Sequence, residues 1–334
     1  MFILKLSLTL FLSYFFIKLI IKFAKNMYLH YSHIEHNTNK ERYIPVGGGI
    51  GFFLAFLSYF ILFEIDILIE NWYIFFSIFL IFIIGIIDDI KDIKPYVKLI
   101  VISLSVLFLF IYDIYISNLG NWFGYQLDLP IFIAIIFNIF AITGFTNALN
   151  LIDGIDGLAA SISIVILILF TIIGFEYNNT LIFTISLITI VSLISFLFLN
   201  WYPAKIFMGD SGSLSLGFII SILAVLSLEY IHPVVILYLT AIPILDTLIV
   251  MTRRIRRGVS PFSPDKTHIH HILVKFFDGR VKKTLFFLVI LQIIFSSIGY
   301  MLIDIINRNH NSFAPFIAIV GFILMFIVFY MIFT

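Results

Sequence analysis

Apolar runs of about 20 residues recur from one end of this chain to the other, each long enough to cross the ~30 Å hydrocarbon core of a bilayer as a helix. Lipid supplies no partner for a free backbone N–H or C=O, so helix is the economical way for such a run to cross. The runs fall at roughly 2–23, 46–66, 72–87, 96–117, 129–149, 158–174, 180–199, 213–230, 233–252, 284–304 and 312–333. They predict an all-α fold, a polytopic integral membrane bundle of about eleven transmembrane helices. No repeat, low-complexity linker or soluble domain interrupts it, so residues 1–334 read as a single domain. Composition agrees, since 62% of the chain is hydrophobic and 12% is charged, too little charge for a soluble domain. A net charge of +1 gives no bulk electrostatic case for nucleic acid. The chain has no cysteine, which excludes disulfides and thiolate metal sites. Lys5 precedes a long apolar run with no small-x-small site after it, so an uncleaved first span is expected.

Lys and Arg set the orientation. Counted alternately across the spans, one side receives Lys22, Lys25, Lys40, Arg42, Lys91, Lys94, Lys205, Arg253, Arg254, Arg256, Arg257, Lys266, Lys275, Arg280, Lys282 and Lys283. The other receives Lys5, Arg308 and acids such as Glu70, Asp128 and Glu176. The first side is therefore expected in the cytoplasm, with the N-terminus outside and the C-terminus inside. Four polar segments fall on that side: IGIIDDIKDIKPYVK, NALNLIDGIDG, KIFMGDSGS and RRIRRGVSPFSPDKTHIHH. An active site open to the cytosol follows.

Asp88, Asp89 and Asp92 form the first cluster. On a helix Asp88 and Asp92 share a face, and their charges repel unless a cation stands among them. Magnesium takes oxygen ligands and bridges to substrate phosphates. The alternative is a solvated loop end paired with Lys91 and Lys94. Lys98 is either an interfacial lysine reaching for water or a phosphate ligand. In the second segment Asn147, Asn150, Asp153 and Asp156 interrupt apolar sequence beside Gly154 and Gly157. Such oxygens suit magnesium or the hydroxyls and amides of a nucleoside, or else simply form a turn. In the third, Asp210 sits between Gly209 and Gly212 before a span. The helix start offers amides to phosphate, or Asp210 and Ser211 merely cap it. In the fourth, His268, His270 and His271 suit phosphate as hydrogen-bond donors. Zinc is the rival, against which stand the lack of i, i+4 spacing and of cysteine. The arginines before them read mostly as positive-inside anchors. Asp246, inside a span, reads as a bond to a neighbouring helix. Gly47, Gly48, Gly49 and Gly51 favour close helix packing over contact with a lipid headgroup. Together the four segments suit phosphoryl transfer to or from a lipid.

DDIKD, NALNLIDGIDGLA, KIFMGDSGSLSLGF and SPFSPDKTHIHH together resemble, in identity, order and spacing, the polyprenyl-phosphate N-acetylhexosamine-1-phosphate transferase superfamily. The resemblance covers nearly the whole chain and is greatest to the branch using undecaprenyl phosphate and GlcNAc-1-phosphate. It implies a UDP-sugar donor, a polyprenyl phosphate acceptor, Mg²⁺ with Mn²⁺ as substitute, and a bacterial inner membrane location. The product would initiate a cell-envelope glycan such as O-antigen or teichoic acid. The fold it implies is a bundle of about ten spans with a cytosolic cleft, often dimeric. By the same resemblance Asn150 and Asp210 hold the metal, while Asp88 and Asp89 flank the lipid phosphate with Asp88 the favoured base. Lys98 holds phosphate, Asn147 binds substrate, Asp153 and Asp156 shape the nucleotide end, with Asp156 near uracil, and the three histidines meet the pyrophosphate and sugar. One position departs: many members carry Gln four residues after Lys98, where this chain has Ile102.

Two other classes compete. An intramembrane prenyltransferase also uses aspartates and magnesium diphosphate, but leaves the HIHH and GDSGS segments without work. A transporter gathers its ionisable residues near the bilayer midplane, where this chain places Asp246 alone.

Overall fold

The computed structural model describes residues 1–24, 27, 29–34, 41–260, 268–308 and 313–333. Lys25, Lys40, Lys266 and the 261–267 part of the fourth segment lie outside them. The helices are α1 (Phe2–Phe23), α2 (Gly48–Phe63), α3 (Ile65–Glu70), α4 (Trp72–Lys91), α5 (Pro95–Ile111), α6 (Ile131–Ile152) and α7 (Leu158–Glu176). They continue with α8 (Thr180–Asn200), α9 (Asp210–Ser227), α10 (Pro233–Leu239), α11 (Ala241–Arg256), α12 (Ile269–Phe276), α13 (Val281–Arg308) and α14 (Ala314–Phe333). Every expected span but 233–252 coincides with one helix. The all-α expectation needs one correction, because two antiparallel hairpins join the helices: β1 (His30–Ile34) with β2 (Glu41–Pro45), and β3 (Asn118–Trp122) with β4 (Tyr125–Asp128). The second closes through Phe123 and Gly124, both at positive φ, the backbone twist that a two-residue hairpin turn requires. Residues 118–128 show no long apolar run, so hydropathy alone does not mark this hairpin.

Among the described residues, eight helices are long and apolar enough to cross a membrane, and nine if α10 and α11 count as one bent span. The expected count of about eleven therefore rests on α2 and α5, which have 16 and 17 residues. The span expected to run straight through 233–252 instead turns by 87° between α10 and α11. Such a break frees backbone groups that lipid cannot satisfy. Gln292 on α13 satisfies two of them, donating from Nε2 to Leu239 O at 2.7 Å and accepting from Ile242 N at 3.0 Å. No hydropathy pattern foretells this joint, because it depends on a side chain 50 residues away.

α9 lies at the centre, packed against α2, α4, α6, α7 and α8. Small residues let the backbones touch, as in other membrane bundles. A Cβ on Gly49 would lie 2.1 Å from Gly212 N, and one on Gly85 would lie 2.5 Å from Ser211 Cα. The packing role expected of the glycines at the head of α2 is thus borne out. Phenylalanines fill the space between α2 and α4, with the Phe53 and Phe82 rings stacked at 4.0 Å. α1 and α14 by contrast expose long apolar faces, as lipid-facing helices do.

Candidate active site

The ends of α4, α6 and α8 and the starts of α5 and α9 meet at one end of the bundle. The first acids come from α4, which runs to Lys91 rather than stopping at 87, so Asp88 and Asp89 are helical. Asp92 does not share the Asp88 face, because it ends the helix at φ 48° with its N–H on Asp88 O. The chain then reverses. Asp88 Oδ1 accepts from Ile93 N at 2.9 Å, and Pro95 starts α5, where its fixed φ and missing N–H suit the first turn. This reversal returns Lys98 to α4. Its Nζ donates to Asp88 Oδ2 at 3.0 Å and to Asp210 Oδ2 at 2.6 Å.

Asp89 takes a different part. Its two oxygens accept from Asp210 N at 2.6 Å and Ser211 N at 3.1 Å. It thereby caps the N-terminus of α9 from a different helix, satisfying orphan amides and complementing the positive end of the dipole. The amides at the start of α9 are thus engaged by a carboxylate rather than open to phosphate. Capping by Asp210 or Ser211 does not occur either, since Gly209 is the N-cap and no side chain of α9 caps it. Gly209 stands at φ 76°, and a Cβ there would lie 2.7 Å from both Asp89 oxygens, so only glycine admits the Asp89 carboxylate.

α6 outruns its expected end at 149, so Asn150 joins Asn147 in its last turns. Asn150 Nδ2 donates to Ser213 Oγ at 2.9 Å, and Asn150 also neighbours the Asp210 carboxylate. Because the amide nitrogen makes that bond, an oxygen ligand from this residue would be its Oδ1. Asn147 is half-buried one turn earlier, and no hydrogen bond joins it to the other site residues among the described residues. Asp153 ends α6. Burial, and then the nearby Asp210, Asp89 and Asp156, raise its carboxyl well above the ordinary carboxylate range. Asp156 Oδ2 accepts from Ala204 N at 2.8 Å.

Asn200 was missed. It is 2% exposed, accepts from Gly157 N at 2.8 Å and donates to Ile206 O at 2.8 Å. It staples the 153–157 turn to the segment leading into α9. The signal was a lone amide closing an apolar helix. Asp246 was noticed but not placed in the site. Its Oδ2 meets His268 Nδ1 at 2.7 Å and its Oδ1 accepts from Ile269 N at 2.6 Å. His268 is the N-cap of α12, and His270 and His271 follow in its first turn. His270 packs on the acid turn, for a Cβ on Gly154 would lie 2.1 Å from its Nε2. Burial pushes the His270 imidazole down to about 3. Arg253, read as a membrane anchor, is buried and donates to Phe333 O at 2.9 Å, holding the end of α14. Ile102 is fully buried in the core, one turn beyond Lys98.

The donor set fits a divalent cation of the magnesium kind. Asp88, Asp210 and the Asn150 amide offer oxygen only. Burial first, and then the neighbouring acids, hold the Asp153 carboxyl above the ordinary range. Among the described residues no three or more His, Asp or Glu side chains form a ready-made metal cage, so substrate oxygens would have to complete the shell.

This chain matches the model of glycosyl transferase family 4 over residues 71–228, which span the acid segments and stop short of the histidines. It is 34% identical over 296 residues to the undecaprenyl-phosphate alpha-N-acetylglucosaminyl 1-phosphate transferase of Haemophilus influenzae, covering 85% of this chain and 80% of that protein. It is 42% identical over 126 residues to the probable undecaprenyl-phosphate N-acetylglucosaminyl 1-phosphate transferase of Bacillus subtilis, where the match covers 36% of this chain and 34% of the relative. The Escherichia coli K12 undecaprenyl-phosphate alpha-N-acetylglucosaminyl 1-phosphate transferase is 38% identical over 128 residues, covering 36% of this chain and 33% of that protein. The match thus spans about a third of the Bacillus and Escherichia relatives and four-fifths of the Haemophilus one. The resemblance drawn from the four segments is borne out, and the chain belongs to glycosyl transferase family 4.

Proposed function

We propose that the chain transfers an N-acetylhexosamine 1-phosphate, GlcNAc-1-phosphate first among candidates, from a UDP-sugar to undecaprenyl phosphate, releasing UMP. The reaction would run at the cytoplasmic face of a bacterial inner membrane and begin an envelope glycan. The observation that carries this reading is Lys98 held between Asp88 and Asp210 beside Asn150, in a chain whose relatives are named for that transfer. A phosphate oxygen of the lipid attacks the β-phosphorus of the donor. One P–O bond forms there, the bond to the oxygen bridging the two phosphates breaks, and UMP leaves with the electron pair. A phosphate monoester is already a nucleophile, so the protein supplies alignment and charge screening more than a covalent relay.

In this scheme Asp88 flanks the acceptor phosphate and takes a proton from its monoanion. Asp89 acts through Asp210, whose position at the head of α9 it fixes. Asn150 and Asp210 would hold Mg²⁺, or Mn²⁺ in its place, which when bound neutralises pyrophosphate charge. Asp153 and Asp156 shape the nucleotide end, Asn147 binds substrate, and His268, His270 and His271 meet the pyrophosphate and sugar. The Lys/Arg asymmetry supports the cytoplasmic placement.

Purified enzyme incubated with labelled UDP-GlcNAc and polyprenyl phosphate should release UMP and form a lipid diphosphate sugar, with activity lost in EDTA and restored by Mg²⁺. Pyrophosphate released from a prenyl diphosphate would favour a prenyltransferase instead, and full activity in chelator would remove the metal. Exchange of labelled UMP into the UDP-sugar without lipid would replace direct attack by an aspartyl intermediate. In this cysteine-free chain, Tyr125→Cys on the β3–β4 turn should react with an impermeant thiol reagent in intact cells. Val259→Cys beyond α11 should react only after permeabilisation, and the reverse pattern would invert the topology.

A further inference from the structure

The histidine segment reaches the acid turn through a chain of contacts that starts on α11. Asp246 is 1% exposed, and burying a carboxylate is costly unless its oxygens find partners. Each oxygen has one. Oδ1 takes the first backbone amide of α12, Ile269 N, and Oδ2 takes the His268 ring. The His268 and His270 rings lie 5.6 Å apart with planes 11° from parallel, so the orientation of one constrains the other. His270 in turn touches Gly154. Both His270 ring nitrogens are buried without a hydrogen-bond partner among the described residues. The place of His270 is therefore set by its contacts with His268, His271 and Gly154 and by the start of α12, and Asp246 holds two of these, His268 and the helix start.

We propose that Asp246 is a positioning residue that seats the histidine segment on the acid turn and fixes the His268 proton on Nδ1. This rests on the transferase reading for its consequence in catalysis, though not for the tautomer. An ionised carboxylate only accepts, so Nδ1 must donate to it. Nε2 is then the atom the ring offers to substrate, an acceptor in the neutral form, suited to a sugar hydroxyl or amide N–H. This arrangement parallels the carboxylate–histidine pairs that set ring orientation elsewhere. Asp246→Asn separates the two duties. An asparagine keeps an oxygen for Ile269 N and presents its Nδ2 to His268, which forces the proton from Nδ1 to Nε2.

The test uses the full chain in detergent, labelled with [¹⁵N]histidine, with His268 resonances identified from a His268→Gln variant. Wild type should show the proton on Nδ1, and Asp246→Asn should show it on Nε2. The kcat/KM for UDP-GlcNAc should fall about 10- to 100-fold in that variant, with the midpoint of thermal unfolding little changed. Asp246→Ala should lose the tether as well, exposing residues 268–276 to hydrogen exchange. A wild-type proton on Nε2 overturns the proposal whether or not any variant folds. Unchanged kcat/KM in Asp246→Asn, or a loss that comes only with unfolding, also overturns it. A wild-type protein that transfers no sugar phosphate defeats the transferase reading instead, and the tautomer and exchange results still decide this one.

Discussion

The acid side and the histidine side of the site are built by different means. Asp88, Asp89, Lys98, Asn150 and Asp210 stand on the ends of α4, α5, α6 and α9, whose bodies are locked by glycine contacts and phenylalanine packing. The histidines ride on α12, eight residues long, to which the Asp246 carboxylate of α11 is bonded. α11 itself leaves α10 at an elbow held by Gln292. The family match follows the same division, covering residues 71–228 and ending before the histidines. The difference teaches that the acid side is placed by the packing of long helices, and that the histidine side is placed by a short helix whose start is bonded to a buried carboxylate. A scaffold of long packed helices suits groups that must not move, whereas a short tethered helix opens at low cost.

The sharpest test of that contrast is Asp210→Asn. It weakens the proposed metal ligand and breaks the ion pair with Lys98 while the helices stay packed. Transfer should fall about 10³-fold, equivalent to several kcal/mol of transition-state stabilisation. Donor binding by titration should weaken too, and the midpoint of thermal unfolding in detergent should hardly move. Activity within tenfold of wild type would end the idea that this side carries the chemistry.

Asp89→Asn comes next. The variant keeps an acceptor for one α9 amide but loses the charge at the helix head, so the cap weakens by about 1–2 kcal/mol. Turnover should fall about 10- to 100-fold as Asp210 loses its fixed place, with a drop of a few degrees in the unfolding midpoint. Loss of activity with an unaltered midpoint and intact α9 protection in hydrogen exchange would instead make Asp89 a direct contact of substrate.

Acid should loosen the histidine side first. The His270 value lies at about 3 in the folded chain against an ordinary 6.5. Above about 6.5 the ring is neutral whether seated or free, so seating is at full strength. As pH falls from 6.5 toward 3, the free ring binds a proton that the seated ring refuses. Seating then weakens by about 1.4 kcal/mol, or tenfold, per pH unit. Protection factors of residues 268–276, taken relative to the intrinsic exchange rate at each pH, should fall about 30-fold between pH 7 and pH 5 while those of α9 stay the same. Equal protection at both values would show the two sides to be equally firm.

Much of this molecule was legible in its residues. The apolar runs located all the long helices because lipid permits the backbone nothing else, and polar atoms interrupting those runs marked Asp88, Asp89, Asn150, Asp210 and the histidines as chemistry. Glycines at the head of α2 announced close packing. What tertiary structure alone decided was which polar atom meets which. Asp88 and Asp89 are neighbours of one type, yet one meets Lys98 and the other caps α9, because successive helical residues point about 100° apart and α9 happens to lie beneath only one of them. The 87° elbow, the Asn200 staple and the Asp246 tether join residues between 6 and 53 positions apart. Such bonds leave no local periodic trace, since hydropathy records only whether a segment enters lipid. They form when a buried donor or acceptor must find a partner, and only the packed neighbours determine which partner is within reach.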